Sequence, residues 1–146
     1  MPQAVQSIEV NVTPDAFFDV ITDFESYPSF LSEVRSCRLV SDDGGCLEVD
    51  YVVQVIKRFE YTLRFEAERA TSLSWQLKGS SFIKRNEGSW TLEPLDDGTG
   101  TKATYRVLVE TSLFVPRAVA TKLLEVTLPA TLSASKREAE RRQGNS

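Results

Sequence analysis

The 146-residue sequence contains no histidine, and this absence restricts its chemistry more than any other feature of its composition. It removes the Ser–His and Cys–His nucleophile pairs, the usual imidazole base, and most zinc and iron sites. The two cysteines, Cys37 and Cys46, flank a turn-like segment, and we interpret them as free thiols rather than as a disulfide. We expect no metal site, no cofactor and no catalytic residue.

Long apolar runs are also missing. No stretch approaches the roughly 18 continuous apolar residues of a membrane span, and residues 1–6 lack a signal-peptide pattern. We therefore expect a cytoplasmic protein without a transmembrane segment. A formal net charge of -4 provides no concentrated basic face, so we expect no nucleic-acid partner. The length and ordinary composition predict a single domain over residues 1–146.

The N-terminal part combines one strand with two short helices. Residues 3–12 alternate between apolar and polar side chains, which is the period of a half-buried strand. Thr13 is a good N-cap and Pro14 suits the first helical position, so a helix is predicted to follow. We expect Ser26-Tyr27-Pro28 to break this helix before a second short helical turn.

A meander of six strands is predicted next, with apolar residues at every second position. A two-residue turn between the second and third of them would point their apolar sets to opposite faces, so we expect a longer turn or a bulge at 56–58. Gly79 and Gly88 are typical of positions where a sheet bends or bulges. The predicted strands cover residues 34–40, 47–55, 59–67, 73–77, 88–92 and 103–109.

The last segment, from about residue 116 to residue 142, changes to helical spacing, with Val119, Leu123 and Ala130 in one apolar stripe. Pro129 lies within it and is expected to bend the helix. We interpret the mixed charges of residues 136–142 as a solvated last helical turn.

This order of elements predicts an α+β fold with an antiparallel sheet of about seven strands. Along the clearest predicted strands, apolar residues alternate with charged ones, so one face of the sheet is solvated and the other is apolar. The C-terminal helix must cover the apolar face. A strongly twisted sheet wraps a single helix incompletely, and we therefore expect a cavity between them.

Several segments resemble one known superfamily. They are residues 12–20 and 23–31, Gly79 and Phe82, and residues 88–94 and 100–105. The chain is similar over almost its entire length to START-like (SRPBCC) proteins of the polyketide cyclase/dehydrase and coenzyme Q-binding (Coq10-like) branch. The resemblance implies the helix-grip fold of START and Bet v 1 proteins. It also implies a cavity for hydrophobic molecules such as isoprenoid quinones, lipids, polyketide intermediates or aromatic compounds.

Aromatic side chains on the predicted strands are the main candidates for lining this cavity, because flat rings bury much area and Tyr or Trp adds a polar contact. The alternative is that they only fill the core. Asn86 shares strand parity with Gly88 and Trp90, so it is expected to point inward. The predicted ligand-binding residues are Tyr27, Phe30, Tyr51, Tyr61, Phe65, Trp75, Asn86, Trp90, Tyr105 and Leu123.

Charged residues on the same strands point to the opposite face of the sheet. We expect them to be surface charges that pair across neighbouring strands rather than catalytic groups. These residues are Arg64, Arg85, Glu87, Arg106 and Glu110. We therefore predict a non-enzymatic protein that binds or carries a hydrophobic small molecule. A polyketide cyclase, aromatase or dehydratase is the first alternative, and a protein-interaction role such as ribosome association is the second.

Overall fold

The structure is a computed structural model that describes residues 3–55, 57–80, 83–95, 99–111, 115–118, 121 and 127–144. The strands are β1 (Gln3–Val10), β2 (Val34–Asp43), β3 (Cys46–Val55), β4 (Lys57–Glu68), β5 (Ser72–Ser80), β6 (Ile83–Pro94) and β7 (Thr101–Thr111). The helices with described bounds are α1 (Pro14–Ile21), α2 (Tyr27–Phe30) and α3 (Thr127–Gly144), and a 3-10 turn, Phe24–Ser26, joins α1 to α2.

The strands form one antiparallel sheet in the order β1-β7-β6-β5-β4-β3-β2. Strands β2 to β6 each pair with the next strand along the chain, and β1 pairs with β7. No crossover helix is needed between such neighbours. The predicted α+β class and the seven-stranded sheet are confirmed.

The pairing of β3 with β4 differs from the prediction. We expected a longer turn or a bulge at residues 56–58, but Val55 pairs with Lys57 and the register continues without a shift along both strands. The one residue between them lies outside the described ranges. With one residue between the strands, odd-numbered residues of β3 lie opposite odd-numbered residues of β4. Tyr51 therefore faces Tyr61, and the apolar residues of both strands point to the same face of the sheet.

Helix α1 begins as predicted but ends earlier. The backbone N–H of Ala16 donates to Oγ1 of Thr13 at 3.2 Å, which identifies Thr13 as the N-cap. The prediction that Ser26-Tyr27-Pro28 breaks this helix is wrong, because α1 already ends at Ile21. Tyr27 and Pro28 begin α2 instead, where proline is tolerated because the first helical N–H groups have no partner within the helix.

Helix α3 packs against α1 and β1. We expected Ala130 in its apolar stripe, but Ala130 is exposed, and its single methyl group has little area to bury. The predicted bend at Pro129 stays a prediction, because residues 122–126, just before α3, lie outside the described ranges. Val119 lies outside them as well. Among residues 130–142 of α3, those that are buried are Leu132, Ala134, Ser135, Glu138 and Ala139.

The charged end of α3 is only partly solvated as expected: Arg137 and Arg141 are exposed, but Glu138 is buried. The buried carboxylate of Glu138 accepts hydrogen bonds from Arg141 at 2.7 Å and from Arg142 at 2.8 Å. Arg142 also donates to Asp23, which follows α1, at 3.0 Å. Hydrogen bonds from Arg141 and then from Arg142 lower the pKa of Glu138 to about 2. This network fixes the end of α3 against the end of α1.

The Glu138 network should make stability depend on pH. A carboxyl group whose folded pKa is depressed stabilises the fold above its unfolded pKa, and this contribution is lost as the pH falls through the folded value. Substitution Glu138→Gln should therefore lower the free energy of unfolding by about 2 kcal/mol at pH 7. The difference from the unsubstituted protein should shrink between about pH 4.5 and pH 2, measured by urea denaturation.

The control is Glu60→Gln, because the Glu60 side chain is 69% exposed and its ion pair with Arg58 is 3.6 Å long. This variant should change stability by less than about 0.5 kcal/mol at every pH. A deficit of Glu138→Gln that stays constant from pH 7 to pH 2.5 would contradict the assigned role of the network.

Candidate functional site

A cavity of about 150 Å³ lies between the inner face of the sheet and helix α3, and it is bounded on one side by the ends of α1 and α2. Strands β3 to β7 all contribute to its wall. The lining side chains are Ile21, Tyr27, Leu31, Glu33, Val34, Tyr51, Val53, Phe59, Tyr61, Leu63, Phe65, Trp75, Ile83, Asn86, Trp90, Tyr105, Val107, Val109, Thr131 and Ser135.

Most of the predicted ligand-binding residues lie on this wall. Phe30 does not; it is half-buried, and its ring packs against that of Tyr27 with 5.7 Å between centroids. Leu123 lies outside the described residues. Binding by these side chains stays a prediction. The eight that line the cavity are Tyr27, Tyr51, Tyr61, Phe65, Trp75, Asn86, Trp90 and Tyr105.

All four tyrosines and both tryptophans of the chain line the cavity. Tyr51 and Tyr61 stack across the β3–β4 pair, with 5.1 Å between ring centroids and 12° between ring planes. The ring of Tyr105 packs between those of Trp75, at 5.4 Å, and Trp90, at 4.7 Å. These contacts hold the rings in fixed positions, so the aromatic wall is ordered before any ligand arrives.

Asn86 points inward, as its strand parity predicted, and is buried. Its side-chain oxygen accepts a hydrogen bond from Nε1 of Trp75 at 3.0 Å. This bond satisfies the indole N–H and fixes the orientation of the amide. The Asn86 nitrogen makes no further hydrogen bond within the described part of the chain. Its N–H groups are therefore free to donate to a ligand.

The tyrosine hydroxyl groups differ in their partners. Tyr27 donates to the carbonyl oxygen of Ile21 at the end of α1, so its hydroxyl is already engaged. The hydroxyls of Tyr61 and Tyr105 have no hydrogen bond to another described residue. Burial, and in second place the negative charge of Glu33, raises the pKa of Tyr105. Burial likewise raises the pKa of Tyr61. Both hydroxyls stay protonated near neutral pH and can donate hydrogen bonds.

Three polar residues on the wall were missed by the sequence analysis: Glu33, Thr131 and Ser135. Oγ1 of Thr131 donates to Oε1 of Glu33 at 3.1 Å, which links α3 to the segment before β2. Thr131 and Ser135 are four residues apart and share one helix face, a spacing visible in the sequence. Glu33 lies between α2 and β2, where no periodicity indicates the direction of a side chain.

The charged strand residues lie on the other face of the sheet. Arg64 is exposed and pairs with Glu48 at 3.3 Å, and Arg85 pairs with Glu87 at 2.5 Å. Arg106 is exposed and Glu110 is half-buried, and neither lines the cavity. No group of three or more potential metal ligands occurs among the residues that the structure describes.

Residues 10–136 match the family described as polyketide cyclase / dehydrase and lipid transport. This match covers most of the chain, which therefore belongs to this START-like family. No curated protein matches the sequence. None of the helices within the described ranges is long and apolar enough to cross a bilayer.

Several solved structures share the fold. The Zhui aromatase/cyclase from Streptomyces sp. R1128 is 18% identical with a TM-score of 0.86, over 97% of this chain and 94% of that one. A START superfamily protein from Mycobacterium smegmatis is 20% identical with a TM-score of 0.79, over 95% and 97%. A STAR-related lipid transfer protein from Xanthomonas axonopodis is 16% identical with a TM-score of 0.78, over 94% and 85%. The helix-grip fold is thereby confirmed.

The cavity wall requires a glycine at position 88. The pairing of β4 with β5 shifts beside Gly79, as expected for a bend, but Gly88 pairs regularly with Trp75 and Val107. A Cβ atom at Gly88 would overlap the carbonyl oxygen of Arg106 and lie 2.5 Å from Cζ2 of Trp75. Glycine therefore leaves the space in which the indole ring lies against the sheet.

Substitution Gly88→Ala should destabilise the protein by about 2 kcal/mol or more, because the added methyl group displaces the Trp75 ring or the backbone. The matched control is Gly79→Ala, since a Cβ atom there has nothing within 4 Å. Urea denaturation followed by tryptophan fluorescence measures both variants. Equal stabilities of the two variants would show that Trp75 does not depend on Gly88.

Proposed function

We propose that the protein binds and carries a hydrophobic small molecule in the cavity between the sheet and α3. The observation that supports this most directly is the collection of every tyrosine and tryptophan of the chain on one cavity wall. A wall that is mostly apolar with a few convergent polar groups is typical of small-molecule sites. Burial of ligand carbon would supply the affinity, and the polar groups would orient the ligand.

The size of the cavity limits the part of a ligand that fits. A volume of about 150 Å³ resembles that of an engineered apolar cavity known to hold benzene. One aromatic ring or the end of an aliphatic chain fits this space. An isoprenoid quinone or a polyketide with several rings must extend beyond it or displace part of its wall.

Hydrogen bonds would orient the ligand at two places. The Asn86 amide can donate from β6, and the hydroxyls of Tyr61 and Tyr105 can donate from β4 and β7. A carbonyl or hydroxyl oxygen of the ligand is the acceptor that such donors fit. Quinones, polyketides and many lipids carry oxygens of this kind, so ligands of all three classes fit these donors.

A cyclase or aromatase acting on a polyketide is the second candidate. It is favoured by the presence of an ionisable group, Glu33, on the cavity wall. A carboxylate on the same wall as protonated tyrosine hydroxyls would supply a general base and hydrogen-bond donors to a bound substrate. The similarity to the Zhui aromatase/cyclase is in accord with this candidate. The two candidates differ in the fate of a bound poly-β-ketone, which a carrier releases unchanged and a cyclase releases ring-closed.

Ribosome association has no comparable support, because an interaction protein requires no cavity in its interior. We retain the cytoplasm as the proposed location. Cys37 and Cys46 are both free thiols, which is usual in a reducing compartment.

Filling the cavity should abolish binding without unfolding the protein. Val109 lines the cavity from β7 and is only partly buried, so Val109→Phe should place a ring inside it. We expect toluene to bind the unsubstituted protein and to bind this variant at least tenfold more weakly, measured by saturation-transfer NMR. The matched control is Val5→Phe on β1, since Val5 is 53% exposed.

The control variant should bind toluene as the unsubstituted protein does. Failure of toluene and of larger apolar compounds to bind the unsubstituted protein would contradict the proposed function. Equal binding by Val109→Phe and Val5→Phe would place the binding site elsewhere on the protein.

A further inference from the structure

The cavity wall, as described, carries a single charged group, and that group is negative. Glu33 is the only ionisable carboxyl group among the described lining residues, and no lysine or arginine is found among them. A cavity of this size and composition would bind a neutral apolar ligand without any charged group. Glu33 is therefore the charged group that a ligand in this cavity would meet.

The position of Glu33 is fixed by the backbone. Its carbonyl oxygen accepts a hydrogen bond from the backbone N–H of Gln54 in β3 at 2.8 Å. The backbone N–H of Val34, the next residue, donates to the carbonyl oxygen of Leu31 at 3.1 Å. With both neighbouring peptide groups held, the Glu33 side chain stays at the cavity wall.

The Glu33 carboxylate has a hydrogen bond but no ion pair. Its described partner is the neutral hydroxyl of Thr131. No arginine or lysine within the described ranges lies within ion-pair distance of it, in contrast to the buried Glu138, which binds two arginines. A half-buried carboxylate whose described partner is a neutral hydroxyl can still pair with a positively charged ligand.

The rings around the cavity provide the second half of a cation site. Tyr61, Tyr105 and Trp75 all line the same cavity as Glu33. Burial raises the pKa of both tyrosines, and the negative charge of Glu33 is a smaller cause for each, in accord with their common place on the cavity wall. Aromatic faces attract ammonium groups, and the attraction is strongest where water is excluded.

We propose that the preferred ligand of this cavity is a hydrophobic organic cation, whose ammonium group pairs with Glu33 and whose apolar part lies among the aromatic rings. This inference rests on the proposed function, because it names the ligand class of the same cavity. A neutral phenol or alcohol could also donate to Glu33, but it would leave the charge of the carboxylate uncompensated.

The test compares two ligands of nearly equal shape, 2-phenylethylamine, which is a cation at pH 7, and 2-phenylethanol, which is neutral. We expect the unsubstituted protein to bind the amine at least tenfold more tightly, measured by NMR titration at low ionic strength. Glu33→Gln keeps the shape of the side chain and removes its charge. This variant should lose the preference for the amine and retain its affinity for the alcohol within about threefold.

The control variant is Glu93→Gln, because Glu93 is an exposed carboxylate of β6 that does not line the cavity. It should keep the full preference for the amine. The comparison of the two ligands on the unsubstituted protein remains decisive if Glu33→Gln fails to fold.

The outcomes separate this inference from the proposed function. Equal or tighter binding of 2-phenylethanol, or binding of toluene without binding of the amine, overturns the inference and leaves the proposed function standing. Failure of the amine, the alcohol and toluene alike overturns both. An unchanged preference in Glu33→Gln overturns the assignment of Glu33 as the anionic partner.

Discussion

The register between β3 and β4 is the constraint on which the rest of the site depends. It places Tyr51 directly opposite Tyr61 and brings the apolar residues of both strands to one face of the sheet. A slip of one residue would turn every side chain of one strand to the other face. The stacked pair of tyrosines and the common inward face of β3 and β4 therefore follow from this register, while Trp75, Trp90 and Tyr105 are placed by the pairings of β5, β6 and β7.

The cavity exists because the helix that covers this face presents small side chains to it. Thr131 and Ser135 line the cavity from α3, whereas the larger Leu132 is buried in the core. Two short polar side chains cannot reach the rings of the opposite sheet, so a gap remains between the helix and the sheet. The rings cannot collapse into it, because their packing against one another holds them in place. The same arrangement provides a space and a few polar groups around it.

The features that the sequence predicted correctly are those with a strong local pattern. The N-cap at Thr13 and the inward direction of Asn86 follow from residue type and strand parity. The single residue between β3 and β4 was missed, because the length of a tight turn leaves little trace in the pattern of its strands. Glu33 was missed because it lies between elements, where direction is set by tertiary contacts such as that with Thr131.

The charged groups of the molecule illustrate a further limit of sequence patterns. The run near residues 136–142 mixes signs like a solvated helix end, yet Glu138 is buried and Arg142 reaches Asp23 in a distant part of the chain. Such pairing depends on which elements become neighbours in the fold. In the same way, Glu33 and Glu138 look alike in the sequence, but one has two arginine partners and the other faces a cavity.

The central claim is that the cavity between the sheet and α3 holds a hydrophobic molecule. The most direct measurement is native mass spectrometry of the protein purified from its own host, followed by extraction and identification of any bound compound. The account predicts a discrete mass above that of the chain, released on denaturation as an apolar molecule. A chain mass without any adduct, in a protein whose tryptophan fluorescence is unchanged by apolar compounds, would contradict it.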